Sequence, residues 1–158
     1  MPKKTLFIDM DNVLVDFQSG IDKLDEATKQ AYEDHFDDVP GIFALMDPMP
    51  GAVDAVRKLQ ERYELYILST APWNNPTAWY DKLQWVKRYF GGEDGDVFYK
   101  RLILSHHKEL CLCHGDYLID DRADKNGTEK YKEAGKLIHF GTPEFPDWDA
   151  VVEYLMRE

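Results

Sequence analysis

The chain has 158 residues, enough for one domain with a real core and short for two. Its 44% hydrophobic content excludes a disordered chain, and no apolar run approaches the ~18 residues that a membrane span needs. The net charge of −11 is spread along the chain and argues against a nucleic acid polymer as partner, because affinity for phosphate backbones comes from clustered Lys and Arg.

Met1-Pro2-Lys3-Lys4-Thr5 is basic but lacks the apolar stretch of a signal peptide, so a cytoplasmic protein is expected. Thr5–Ile8 reads as the first strand, and its carboxyl end presents Asp9 and Asp11. Alternation along an extended chain points both the same way. Two carboxylates aimed at one point repel unless a cation or shared protons lie between them, and Mg²⁺ is the usual cation of an oxygen-only site. Such a pair suits phosphoryl transfer, with one aspartate attacking phosphorus and the other moving a proton. Alone the pair is weak, since most Asp-x-Asp pairs are solvated loop carboxylates. A second acidic strand end near residue 120 strengthens it.

Residues 16–50 follow, with a charged helical pattern over Gly20–His35 and then a Phe/Asp-rich stretch. An insertion directly after the acidic strand is placed to close over a site as a small lid, or is an ordinary surface helix pair. Past Pro50, Gly51–Tyr63 reads as a helix, with Val53, Val56, Leu59 and Gln60 near helical spacing. Glu64–Ser69 is the second strand, Thr77–Phe90 a helix stopped by Gly91-Gly92, and Leu102–Leu104 a third strand. Tyr117–Ile119 is the fourth strand, ending on Asp120-Asp121; Thr128–Ala134 is a helix closed by Gly135. Leu137–Phe140 is the fifth strand and Trp148–Met156 the last helix.

Five short strands separated mostly by helices predict a Rossmann-like α/β fold, a five-stranded parallel sheet with helices on both faces and a small helical cap. The core is 1–15 with 51–158, and the cap about 16–50. A site in such a fold lies beyond the carboxyl ends of the strands, which gathers Asp9, Ser69-Thr70, Lys108 and Asp120 at one edge. Cys111 and Cys113, beside His106, His107 and His114, lack the spacing of common zinc knuckles and read as reduced, mostly buried thiols.

Asp9-Met10-Asp11, the strand ending Ser69-Thr70, Lys108 and Asp120-Asp121 resemble, in order, the four motifs of the haloacid dehalogenase-like hydrolases, across essentially the whole chain. More narrowly, Asp9–Phe17, Pro48–Val53, Thr70-Ala71-Pro72, the stretch from Lys82 to Gly91, and Leu118–Arg122 resemble the 5'(3')-deoxyribonucleotidases. Asn12 stands where many members have glycine, and Ala71 where a hydroxyl residue is common. The resemblance implies a Mg²⁺-dependent phosphomonoesterase acting on nucleoside monophosphates, with deoxyribonucleotides foremost. Asp9 would be the nucleophile and Asp11 the general acid and then base, with a raised pKa. The metal set would be Asp9, Asp11 through its backbone carbonyl, and Asp120, with Asp121 a water-mediated ligand or an orienter and Arg122 paired to a neighbouring carboxylate.

Thr70, or Ser69 if the strand ends a residue earlier, would bind phosphate together with Lys108, for which Lys100 or Arg101 could substitute. Phe17, Phe43 and Trp73, and also Trp79, lie in segments expected to border the cleft, Phe43 and Trp73 being the foremost to stack on a base. A phosphatase for another small metabolite such as a sugar phosphate, a noncatalytic phosphate-binding protein, and a polynucleotide phosphatase with a basic groove around Lys82, Lys87, Arg88, Lys100 and Arg101 are the alternatives. A homodimer built on exposed aromatics of the cap is left open.

Overall fold

The computed structural model describes residues 2–157. β1 (Lys4–Ile8) is followed by β2 (Val15–Asp16), α1 (Phe17–Asp22), α2 (Glu26–Ala31) and β3 (Asp47–Pro48). Then come α3 (Ala52–Leu59), β4 (Tyr63–Ser69), α4 (Pro76–Phe90), β5 (Leu102–Leu104), β6 (Tyr117–Asp120), α5 (Thr128–Glu133), β7 (Leu137–His139) and α6 (Trp148–Arg157). The five-stranded sheet runs β5-β4-β1-β6-β7 with every neighbouring pair parallel. The chain moves outward from β1 to β5, then crosses back to β6. The crevice outside the carboxyl ends of β1 and β6 is therefore the topological switch point.

Alternation along the strands sorts the core into two layers. Leu6 and Ile8 of β1, Leu65 and Ile67 of β4, Ile119 and Ile138 meet Ala52, Val56 and Leu59 of α3 and Trp148, Val151 and Leu155 of α6. Phe7, Leu68 and Leu118 point the other way, onto Tyr131 of α5 and Leu112 of the 3-10 turn at Lys108–His114. Helical elements thus cover both faces, as the strand pattern predicts. The Trp148 indole also donates to the Val13 carbonyl at 2.7 Å, fastening α6 to the turn that follows β1.

Some elements differ from the sequence reading. The helical pattern over Gly20–His35 resolves into two short helices, because Asp25 caps a new helix through the Thr28 amide, and the first of them starts earlier, at Phe17. In α3 the buried face is Ala52, Ala55, Val56 and Leu59, with Val53 off it. Tyr63, assigned to that helix, instead opens β4.

The segment between β1 and α3 is closed at its base by the antiparallel β2–β3 pair and rests on α4. Buried Asn75, just before α4, donates to the Asp37 and Val39 carbonyls at 2.9 and 3.0 Å. The Trp85 indole donates to Met46 at 2.9 Å, and the Gly41 amide donates to the Thr77 hydroxyl. The aromatics of this segment pack inward: Phe43 is buried, and Phe17, Tyr32 and Phe36 lie against the core. No helix among the described residues is long and apolar enough to cross a membrane.

Candidate active site

β1 ends at Ile8, so strand alternation does not govern Asp11. The Asp9 amide still donates to the Ile119 carbonyl at 2.9 Å, continuing the β1–β6 pairing by one residue. The chain then folds back: the Met10 carbonyl accepts from the amides of Val13, Leu14 and Val15. Asn12 sits in this turn at φ +61°, a left-handed conformation open to glycine and, among other residues, best tolerated by Asn and Asp. The position therefore asks for Gly or Asn on backbone grounds. Asp9 and Asp11 do face one cleft, but through this turn.

Lys108 is the electrostatic centre. It is 3% exposed, and its Nζ donates to Asp9 at 3.0 Å and to Asp120 at 2.7 Å. Its backbone is held from both sides, the amide donating to the Asn126 carbonyl and the carbonyl accepting from the Tyr131 hydroxyl. Burial works against the Lys108 charge, yet Asp9 and Asp120 overcome it and hold the amine above the usual lysine range. Burial first, and then the Asp9 charge, push Asp120 up to about 8 and Asp121 up to about 7, despite Lys108 beside Asp120. Asp9, Asp120 and Asp121 offer carboxylate oxygens within 4.8 Å of one another. One lysine leaves this set with surplus negative charge, so it could hold a hard divalent cation. The third carboxylate of the group is Asp121, which the sequence reading has as a water-mediated ligand or an orienter; Asp11 enters that reading through its backbone carbonyl. Arg122 donates its amide to Asp120 at 2.9 Å and lies 3.9 Å from Asp121 through an exposed side chain.

The Asp11 carboxylate turns to a residue that the sequence reading did not place in the site. Lys82 of α4 is fully buried, and its Nζ lies 3.2 Å from both Asp11 oxygens. The same ammonium donates to the Ser69 hydroxyl at 2.8 Å and the Thr70 carbonyl at 3.0 Å. Burial raises the Asp11 carboxyl above the ordinary carboxylate range; Lys82 pulls it back, and the Asp9 charge adds to the rise. Ser69 is buried and occupied by Lys82, whereas Thr70 lines the cleft. The Thr70 hydroxyl donates its proton to the Ser105 carbonyl at 2.7 Å, so it must turn before it can donate to a ligand. Helix spacing carried a signal for Lys82, which falls on the buried stripe of Ala78, Trp85 and Val86.

The cleft measures about 860 Å³. Asp9, Asp11, Thr70, Lys108 and Asp120 line its floor, and Phe17, Trp73, His106 and the 33–37 loop wall it. Trp73 is 77% exposed and meets His106 edge-on at 5.8 Å. Phe43 is not among the lining side chains: it is 2% exposed and lies beneath Phe17 at 5.8 Å between ring centroids. Trp79 is also outside the lining, its indole bonded to the Pro72 carbonyl.

Two alternatives fail on position. Arg101 pairs with Glu64 near the amino-terminal ends of β4 and β5, across the sheet from the cleft, and Lys100 lies over Tyr99 beside it. Neither can stand in for Lys108, and with Lys82 buried no basic groove joins these residues. Cys113 is exposed and Cys111 half-buried, so the thiols are less buried than expected. Among the described residues the three aspartates are the one group of His, Cys, Asp or Glu with metal-ligand spacing.

A family model described as 5' nucleotidase, deoxy (pyrimidine), cytosolic type C matches residues 25–145. A protein of Vibrio phage KVP40, provisionally named 5'(3')-deoxyribonucleotidase, is 56% identical over 99% of this chain and 86% of its own length. The human 5'(3')-deoxyribonucleotidase, cytosolic type, is 27% identical over 79% of this chain and 74% of its own. Among solved structures, a HAD family enzyme of Bacteroides thetaiotaomicron, in complex with magnesium and inorganic phosphate, superposes with a TM-score of 0.57 at 18% identity. That match covers 95% of this chain and 99% of the other. A haloacid dehalogenase-like hydrolase of Burkholderia xenovorans gives a TM-score of 0.53 at 16% identity, over 99% and 98% of the two chains. These two share the fold.

Proposed function

Because the chain belongs to the deoxyribonucleotidase family of HAD-like phosphatases, we propose that it is a Mg²⁺-dependent phosphomonoesterase of nucleoside monophosphates, deoxyribonucleotides foremost. The observation that carries this reading is the buried junction of Asp9, Lys108 and Asp120 at the switch point of the sheet, with Asp11 on the same cleft.

Asp9 is the nucleophile. One of its oxygens forms a bond to phosphorus as the bond from phosphorus to the ester oxygen breaks, giving an aspartyl-phosphate. Asp11 gives its proton to the departing alkoxide. In the second half, Asp11 takes a proton from water, the hydroxide attacks phosphorus, and the Asp9 carboxylate leaves with release of inorganic phosphate. Lys108 keeps Asp9 oriented and offsets its charge, so an anionic phosphate can approach an anionic nucleophile. Thr70 turns from Ser105 to donate to a phosphate oxygen.

The donor set fits Mg²⁺. Its oxygens are all hard; Asp9, Asp120 and Asp121 would hold it, with the Asp11 backbone carbonyl, and few protein ligands suffice for an ion that keeps several waters. Eight Asp and Glu side chains against three Lys and Arg line the cleft, and the acids that are ionised repel a phosphate dianion. Bound Mg²⁺ would supply the missing positive charge.

Residues 16–50 act as the cap. Phe17 and the 33–37 loop wall the cleft, and the ties to α4 hold them over it. Trp73 offers an exposed face on which a base can stack. A walled cleft of this size admits a mononucleotide and excludes a polymer. The name of the human relative supports a cytosolic setting for the same activity.

The test is phosphate release from deoxyribonucleotides, ribonucleotides, sugar phosphates and a phosphorylated oligonucleotide, with Mg²⁺ or EDTA. Mg²⁺-dependent turnover favouring deoxyribonucleotides, lost in Asp9→Asn, is expected. Turnover confined to sugar phosphates, or equal rates on the oligonucleotide, would overturn the assignment of substrate.

A further inference from the structure

We propose that Lys82 is a positioning residue for the proton donor: one buried ammonium fixes the Asp11 carboxyl relative to the phosphate-binding strand end, and Phe43 of the cap seals it from water. The inference rests on the reading of Asp11 as the proton donor.

Lys82 is 0% exposed and comes from the middle of α4, on the stripe that otherwise carries Ala78, Trp85 and Val86. Burying an ammonium costs several kcal/mol unless polar partners replace its water. A methionine would fill similar space without that cost, so packing alone does not account for the charge. The partners all belong to the floor of the cleft or its strand. The ammonium meets both Asp11 oxygens at 3.2 Å, the Ser69 hydroxyl at 2.8 Å and the Thr70 carbonyl at 3.0 Å. A contact equal to both carboxyl oxygens fixes the direction and distance of the group from the ammonium. It leaves the outer lone pairs free to carry and give a proton. The bonds to Ser69 and Thr70 tie the ammonium, and through it the carboxyl, to the end of the phosphate-binding strand, so donor and phosphate loop are set at one distance. Phe43 lies with its ring 4.8 Å from the ammonium, and Phe17, which lines the cleft, packs edge-on against Phe43. The cap thereby contributes a dry cover to a catalytic group that it does not touch.

The test separates proton delivery from general damage by the leaving group. A nucleotide releases an alkoxide that needs a proton; an aryl phosphate with an acidic phenol hardly does. Because Asp11 also activates water in the second half, which both substrates share, the comparison is made on the pre-steady-state release of the leaving group. Lys82→Met should slow nucleoside release from deoxyribonucleotides at least about tenfold with KM little changed, and slow phenol release from the aryl phosphate much less. Combined with Asp11→Asn it should add almost nothing, since Lys82 acts through Asp11. Phe43→Leu, which keeps the ammonium and thins its cover, should give the same split to a smaller degree, and it carries the test if Lys82→Met does not fold. Equal losses on both substrates, a change confined to KM, or effects that multiply with Asp11→Asn would overturn the role of Lys82. Asp11→Asn tested alone guards the premise: if it shows no dependence on the leaving group, it is the reading of Asp11 that fails.

Discussion

Asn12 turns one backbone angle into a requirement of the site. At φ +61° it carries the chain from β1 into the turn that presents Asp11, with its amide donating to Val15 at 2.7 Å. Asn12→Ala should destabilise the protein by about 1 kcal/mol, and Asn12→Gly should be nearly neutral, as read by urea denaturation. The sequence shows the residue type here but not the angle that selects it. Lys108 is the opposite case, a charge whose partners are everything. Lys108→Met leaves Asp9 and Asp120 facing each other without a fixed cation. It should lower kcat by about a hundredfold or more while the fold, followed by circular dichroism, survives. The four motif positions were legible because three sit at strand ends and Lys108 opens the turn that follows β5, where topology brings them together. Lys82 is harder to read, because a lysine on a helix is ordinarily solvated: its place on the stripe of Ala78, Trp85 and Val86 points to burial, but only contacts between distant segments reveal its partners.

Among the elements, α4 ties the inserted segment between β1 and α3 to the rest of the chain. Its leading Asn75 closes two carbonyls of the inserted segment, and its Trp85 closes a third. Asn75→Ala leaves buried carbonyls unpaired and should cost about 1–3 kcal/mol. Hydrogen exchange of residues 36–46 should quicken more than that of β1 or β4. The strands and α4–α6 could be read from sequence within a residue or two, because burial on a parallel sheet writes short apolar runs between caps and glycines. The inserted segment could not. Its helices are six residues each, and their stability comes from Asp16 and Asp25 caps and from contacts across the chain, neither of which leaves a periodic stripe. Phe43 is misread for the same reason: its fate depends on which of two stacked rings, Phe17 or Phe43, faces the cleft.

For the whole molecule, the gathered carboxylates couple stability to pH and to metal. Unfolded aspartates titrate near 4, whereas folded Asp120 and Asp121 hold protons up to about 8 and about 7. The folded state therefore binds more protons across this interval, and the metal-free protein should lose stability as pH rises from about 4 to about 8. Mg²⁺ held by these aspartates would replace those protons, so the Tm gained on adding it should be larger at about pH 8 than at about pH 6 in calorimetry. A metal effect independent of pH would show that the cation binds away from these aspartates. The central claim is the covalent role of Asp9, and trapping the intermediate tests it most directly. Borohydride added during turnover of a deoxyribonucleotide with Mg²⁺ reduces an acyl phosphate to homoserine, which peptide mass spectrometry locates. The account predicts homoserine at residue 9, absent with EDTA. Homoserine at residue 11, or none during sustained turnover, would contradict it.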